Sequence, residues 1–156
     1  MAGRVALVVS AFPKISETFI VNKFLGLLER GWDVHVVCNR SEARDLAAFP
    51  QLAANDEAWK RVHVVWSHEP AWKVVVLAPL ALLRCLLVAP GRTWRYLRKG
   101  SERFGLGALR RLYLDAELVA LGPDIVHFEF GALAPARMYL RDLLGSKVTV
   151  SFRGYD

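Results

Sequence analysis

Five short apolar runs, separated by helical or polar stretches, set the pattern of this chain. Residues 4–9 (RVALVV) are continuously apolar and rich in β-branched side chains, as in a strand covered on both faces. Pro13 then favours a turn, Ser16 suits an N-cap, and Glu17 suits the first turn of a helix. That helix is predicted to reach about Arg30, with Ile20, Val21, Phe24, Leu25 and Leu28 on one face and Gly31 as its stop. Residues 33–38 read as a second strand, closing a right-handed βαβ unit. A short helix is expected within 41–49, a polar loop over 51–60, and a third strand at 61–66.

Residues 71–90 are the most apolar part of the chain, interrupted by Pro79 and Arg84. A spanning helix needs about 20 apolar residues, and a central Arg costs about 2.5–3.5 kcal/mol. A core helix, or one lying in the membrane interface, is therefore preferred. Residues 106–121 form a helical pattern ended by Gly122 and Pro123. A fourth strand at 125–130, a helix over 132–144 stopped by Gly145, and a fifth strand at 147–152 complete the series. The order predicts one α/β domain over 1–156, a doubly wound, Rossmann-like parallel sheet. It has five strands in the order 3-2-1-4-5, with helices on both faces.

Composition narrows the class. With 54% hydrophobic and 23% charged residues, a chain of 156 residues can bury a real core and is not disordered. The formal charge is +6, and the excess is local: eight basic residues against Glu102 alone between Arg84 and Arg111. Such a block suits an anionic partner or a solvated helix face. Arg92, Trp94, Arg95, Arg98 and Lys99 mix basic and aromatic side chains, as at a lipid headgroup surface. They equally suit stacking on bases, but no nucleic-acid-binding signature accompanies them. Cys38 and Cys85 have no metal-like spacing and read as buried thiols in a reducing compartment. His63 and His68 lack a surrounding ligand cluster, so no metal is expected. Pro13 and Lys14 cut the first apolar run short with no small-residue cleavage site after it, so it is read as a strand rather than a leader. Classical dinucleotide binding is disfavoured: no G-x-G-x-x-G follows the first strand, and Asn39-Arg40 stand where an acidic ribose ligand is expected.

Candidate chemistry gathers at strand ends, where parallel sheets bind ligands. The fourth run ends His127-Phe128-Glu129-Phe130-Gly131, and the fifth runs into Arg153-Gly154-Tyr155-Asp156. The Phe12–Thr18 segment leads into a helix N-terminus, whose free N–H groups suit an anion such as a diphosphate.

These stretches resemble the family 4 glycosyltransferases of the GT-B fold, especially those of bacterial exopolysaccharide pathways. The matches are F-P-x-x-S-E-T-F at 12–19, D-I-V-H-x-x-F-G at 124–131 and the V-T end of the fifth strand with Gly154 and Asp156. Glu129 and Arg153 stand where that family usually carries histidines. The resemblance implies the N-terminal, acceptor-side domain of a retaining enzyme. Glu129, Arg153 and Asp156 would be catalytic, and Phe12, Pro13, Ser16, Glu17, Thr18, His127, Gly131 and Gly154 would bind substrate. It implies no metal and no cofactor. The nucleotide-sugar donor would be bound mainly by a second domain, and the acceptor would be lipid-linked or an oligosaccharide. The chain stops at the cleft's edge, so it is expected to hold half an active site and not to turn over alone. The location implied is cytoplasmic, peripheral on the inner face of the plasma membrane, against an anionic surface. Glu129 and Arg153 are expected to pair across the mouth of the cleft. The alternative is a non-catalytic α/β domain that holds an anionic glycolipid or a partner protein.

Overall fold

The computed structural model describes residues 3–65 and 71–152. The chain divides into two compact units. One holds Met1–Val64, Pro123–Met138 and Lys147–Asp156, and the other holds Val65–Gly122 and Tyr139–Ser146.

The first unit carries the sheet. Strands β1 (Arg4–Phe12), β2 (Asp33–Ser41), β3 (Val62–Val64), β4 (Ile125–Phe128) and β5 (Lys147–Val150) lie in the order β3-β2-β1-β4-β5. Every pairing is parallel, so the fold is the α/β, doubly wound, Rossmann-like one that the apolar runs predict. Consecutive residues Val5 to Val9 are all buried, which explains why β1 reads as a continuous apolar run. Helix α1 (Thr18–Glu29) buries Ile20, Val21, Phe24 and Leu25 in a core with Val5, Leu7, Val9, Val34 and Val36.

Local departures from the sequence reading have local causes. Ser16 does not cap α1: a 3-10 turn over Ile15–Glu17 intervenes, and Glu17 occupies the cap position without a side-chain capping bond. The stretch read as a loop contains α2 (Pro50–Ala53) and α3 (Asp56–Trp59). Pro50 sits at the start of α2, and Asn55 caps α3 by accepting from the Ala58 N–H at 3.0 Å. The short helix expected within 41–49 is a 3-10 turn, Ala43–Ala48. No continuous helix forms over 132–144. Two 3-10 turns, Gly131–Leu133 and Pro135–Arg137, come first, because Pro135 lacks an N–H and disfavours helix at the residue before it.

The second unit is helical: α4 (Ala71–Val88), α5 (Pro90–Phe104), α6 (Gly107–Leu114), α7 (Ala116–Leu121) and α8 (Leu140–Leu144). The single helix predicted over 106–121 breaks at Asp115, which leaves helical geometry at φ −103°. Asp115 is buried, and its carboxylate accepts from Tyr96 and Tyr139 at 2.6 and 2.7 Å. Gly122 ends α7 at φ +61°, and the Arg92 guanidinium lies 2.4 Å from where a Cβ would stand. The left-handed φ favours glycine there, and any side chain would also have to displace the Arg92 guanidinium. Among the described residues, no helix is long and apolar enough to cross a membrane. Cys38 on β2 and Cys85 on α4 are buried thiols, and burial pushes both up to about 11.

At the start of β2, Asp33 accepts from Arg4 Nε and Arg61 Nη1 at 2.6 Å each and lies 3.1 Å from His35 Nε2. Burial pushes the carboxyl up. The hydrogen bonds from Arg4, Arg61 and His35, with the Arg4 charge, outweigh it and hold Asp33 at about 2 against an ordinary 3.8. A depressed folded value means that the stabilisation is whole above about pH 4 and is lost as pH falls towards 2. With the carboxylate a third exposed, screening limits it to about 1 kcal/mol. In urea unfolding, wild type should exceed Asp33→Asn at pH 6, and the gap should close by pH 2. A gap independent of pH would contradict the pairing.

Candidate functional site

The register of the sheet brings the two motif-bearing strands side by side. His127 on β4 pairs with Leu7 of β1 on one side and Thr149 of β5 on the other. Side chains alternate along a strand, so Ile125, His127 and Glu129 share one face, the face on which α1 packs. Glu129 extends the ladder past β4, its N–H donating to Val8 O at 3.2 Å. Ser151 does the same past β5, donating to Phe128 O at 2.9 Å.

A polar cluster results. Lys23 of α1 donates to both Glu129 carboxylate oxygens at 2.8 Å each. The Glu129 side chain is wholly buried, while Lys23 is 32% exposed. Lys23 Nζ also lies 3.5 Å from His127 Nε2, and Glu129 Oε1 lies 3.6 Å from that nitrogen. His127 Nδ1 reaches Thr149 Oγ1 at 2.8 Å, and Nε2 reaches Ser151 Oγ at 3.1 Å. An ammonium only donates, so the geometry suits a ring that donates from Nδ1 to Thr149 and accepts at Nε2. His127 thus ties β4 to β5 and stands between an ammonium and two hydroxyls.

Beside this cluster is a pocket of about 250 Å³, lined by Lys23, His127 and Thr149 with Leu27, Trp32 and Ile125 among its apolar walls. It runs along the sheet face, not beyond the strand ends where the sequence places the cleft. Its lining is mostly apolar, with Trp32 as an aromatic wall and a small polar share from Lys23, His127 and Thr149, a set that can hold the C–H face of a ring with a few hydroxyls at its edge.

The other sequence-predicted residues are placed unevenly. Phe12 is core: it belongs to β1, is buried, and packs edge-on against Phe24 at 5.8 Å. Pro13 is buried behind a cis Phe12–Pro13 bond, and Gly131 is buried too. Ser16 and Thr18 are exposed. The anion-binding turn expected there is partly occupied from within the chain. The Ile15 N–H donates to Asp45 Oδ2 at 3.0 Å, and the Glu17 N–H donates to Lys14 O at 2.9 Å. Glu17 itself pairs with Lys14 at 2.7 Å. Arg153, Gly154, Tyr155 and Asp156 lie outside the described residues, as do Trp66 and His68, so the expected Glu129–Arg153 pairing falls there. Among the described residues no group of His, Cys, Asp and Glu is arranged to hold a metal ion.

Sequence reasoning missed Lys23. Its signal was available: Lys23 follows Ile20 by three positions and precedes Leu27 by four, so a charge interrupts the inward stripe of α1. A lysine on that stripe needs a buried partner.

The basic block of α5 is largely committed to neighbouring helix ends. Arg92 donates to Val119 O and Ala120 O at 3.1 and 2.8 Å, at the carbonyl end of α7. Arg95 donates to Leu144 O, and Lys99 to Asp142 O at 3.1 Å, at the end of α8. Cations at carbonyl ends offset the negative pole of each helix. Trp94 and Arg98 remain exposed. In comparisons with family models, curated proteins and solved structures, nothing matches the chain.

Proposed function

We propose that this chain is the acceptor-side domain of a retaining glycosyltransferase. The enzyme would move a sugar from a nucleotide donor to a lipid-linked or oligosaccharide acceptor in cell-surface polysaccharide synthesis. The observation that carries this reading is the His127 bridge. The two strands whose ends resemble the family's motifs are neighbours, and one motif residue joins them beside a pocket with an aromatic wall and three polar groups. An acceptor sugar would set its C–H face on Trp32 and its hydroxyls toward Lys23, His127 and Thr149. No metal enters this reading; the nucleotide-sugar is a substrate, held mainly by a second domain. Glu129, held by Lys23, would position His127 and the ammonium rather than serve as a free base.

One observation favours a second reading, a non-catalytic glycolipid- or partner-binding domain. Among the described residues, the acid at the β4 end, Glu129, is fully buried and ion-paired, so it presents no free carboxylate to a reacting hydroxyl.

The test pairs two measurements. The 156-residue chain should bind a polyprenyl-diphosphate-linked oligosaccharide in a calorimetric titration and transfer nothing by itself. His127→Ala should weaken that binding by about tenfold, the scale of one or two lost hydrogen bonds. The full natural gene product should transfer radiolabelled sugar with retention at the anomeric carbon. No acceptor binding by the chain would sink the pocket assignment, and binding without transfer by the gene product would favour the second reading.

A further inference from the structure

Helix α4 is apolar on both of its faces, and one of them is exposed. Trp72, Val75, Val76, Leu80, Leu83, Leu86, Leu87 and Val88 are all exposed, Val75 and Leu87 at 77% and 76%. Positions 72, 75, 76, 80, 83 and 87 recur every three or four residues, so they form one stripe. The opposite face is apolar too: it buries Ala81 and Cys85 and half-buries Val74, Leu77, Ala78 and Leu82. Arg84 is held within the same unit by a two-pronged pair with Glu117. A surface helix of a folded domain ordinarily keeps its outer face polar. Exposed apolar patches of this extent mark a binding surface.

The same helical unit carries a second apolar feature, a groove of about 590 Å³ lined by Trp94, Leu97, Leu106 and Leu109 and edged by Arg98. Leu106 is 90% exposed.

We propose that this helical unit docks on an anionic lipid bilayer, with α4 lying flat in the headgroup layer and its Trp72–Leu87 stripe facing the acyl chains. Three observations select a bilayer over a second copy or another protein. First, charge: residues 71–114 carry nine basic side chains against Glu102 alone, and this unit holds five of the six net positive charges of the chain. Two copies of so basic a unit repel, whereas an anionic surface attracts it. Second, Trp72 and Trp94 are exposed beside the apolar groups, and indole rings favour the headgroup level. Third, α4 has 18 residues with Pro79 and Arg84 inside it, which suits a helix in the interface rather than one across the membrane. The surface differs from the one read from the sequence. Arg92, Arg95 and Lys99 hold helix ends, so insertion belongs to α4 and the remaining charge supplies the attraction. The inference does not rest on glycosyl transfer.

The experiment uses phosphatidylcholine vesicles containing about one third phosphatidylglycerol, the range in which anionic surfaces attract basic segments. The chain should sediment with them, weakly with pure phosphatidylcholine, and less at high salt. Trp72 emission should shift to the blue and be quenched by lipids brominated on the acyl chains. Leu80→Glu with Leu87→Glu changes two exposed side chains, so far-ultraviolet circular dichroism should be unchanged. Partition should fall by about a hundredfold, the loss of two leucine insertions. Arg98→Glu with Arg110→Glu should weaken binding to anionic vesicles and leave the small neutral-vesicle signal as it was. Three results would overturn the proposal: no sedimentation of wild type, full sedimentation of the double glutamate variant, or a stable dimer in solution that this variant dissociates. Equal partition onto neutral vesicles would overturn the choice of an anionic surface.

Discussion

Lys23→Met should destabilise the chain by about 3 kcal/mol, the low end of the cost of stranding a buried charge. Both Glu129 oxygens accept from Lys23 at 2.8 Å, and the Glu129 side chain has no exposure to water. Methionine fills the space of the lysine stem but takes the ammonium away, so the carboxylate keeps its desolvation and loses that charge. The low end applies because Lys23 is a third exposed, and water can follow where the ammonium was. In urea, a loss of this size moves the midpoint by roughly 1–2 M for a domain of ordinary cooperativity. Adding Glu129→Leu to Lys23→Met should recover much of the loss, because two apolar groups leave no charge unpaired. A loss below about 1 kcal/mol in the single variant would show that the pair is a surface bridge in effect, and Glu129 would regain its claim as a free carboxylate.

The sheet was legible because its physics is local. Val5 to Val9 read as a buried strand since every one of those side chains is buried, and the parallel order follows from strands alternating with helices. Helix continuity was less legible, because what interrupts the helices is distant in sequence. Asp115 looks like an ordinary polar residue in a helical pattern until Tyr96 and Tyr139 arrive at its carboxylate. Pro135 is the contrary case, a local breaker present in the sequence and outweighed there by the helical periodicity of 132–144.

The site divides in the same way. His127 and Glu129 could be placed on one face of a strand by alternation alone, and their neighbours Thr149 and Ser151 followed from strand order. Strand alternation could not pair Lys23 with Glu129, since Lys23 lies on a helix about a hundred residues earlier, and only its interruption of the inward stripe of α1 marked it. The basic block is the converse case. Counting charges between Arg84 and Arg111 registers an anionic partner, but not that Arg92, Arg95 and Lys99 already have carbonyl partners at helix ends. The outward stripe of α4 was visible only as an apolar segment, because composition does not say which side of a helix faces water.

Asp115→Ala should cost about 3–5 kcal/mol. Asp115 is 1% exposed and Tyr96 is fully buried, so neither group can turn to solvent when the contact is lost. Losing a shared acceptor for buried hydroxyls costs about 1–3 kcal/mol for each bond, and the alanine leaves a cavity besides. Burial pushes the Tyr96 hydroxyl far up, and the nearby Asp115 charge adds to the rise, so Tyr96 stays a neutral donor across the working range of pH. Asp115→Asn separates charge from hydrogen bonding: its carbonyl oxygen can still accept from both tyrosines, so it should lose less than alanine does. Tyr96→Phe removes one donor and keeps the ring, and should cost about 1.5–3 kcal/mol, the range for a hydrogen bond to a charged group. The Tyr96→Phe and Asp115→Ala losses should add to more than the double variant shows, because the two remove one shared contact. Urea midpoints of the four proteins decide the matter. Strict additivity, or an Asp115→Ala loss below about 1 kcal/mol, would mean that the break between α6 and α7 is held by something other than this carboxylate.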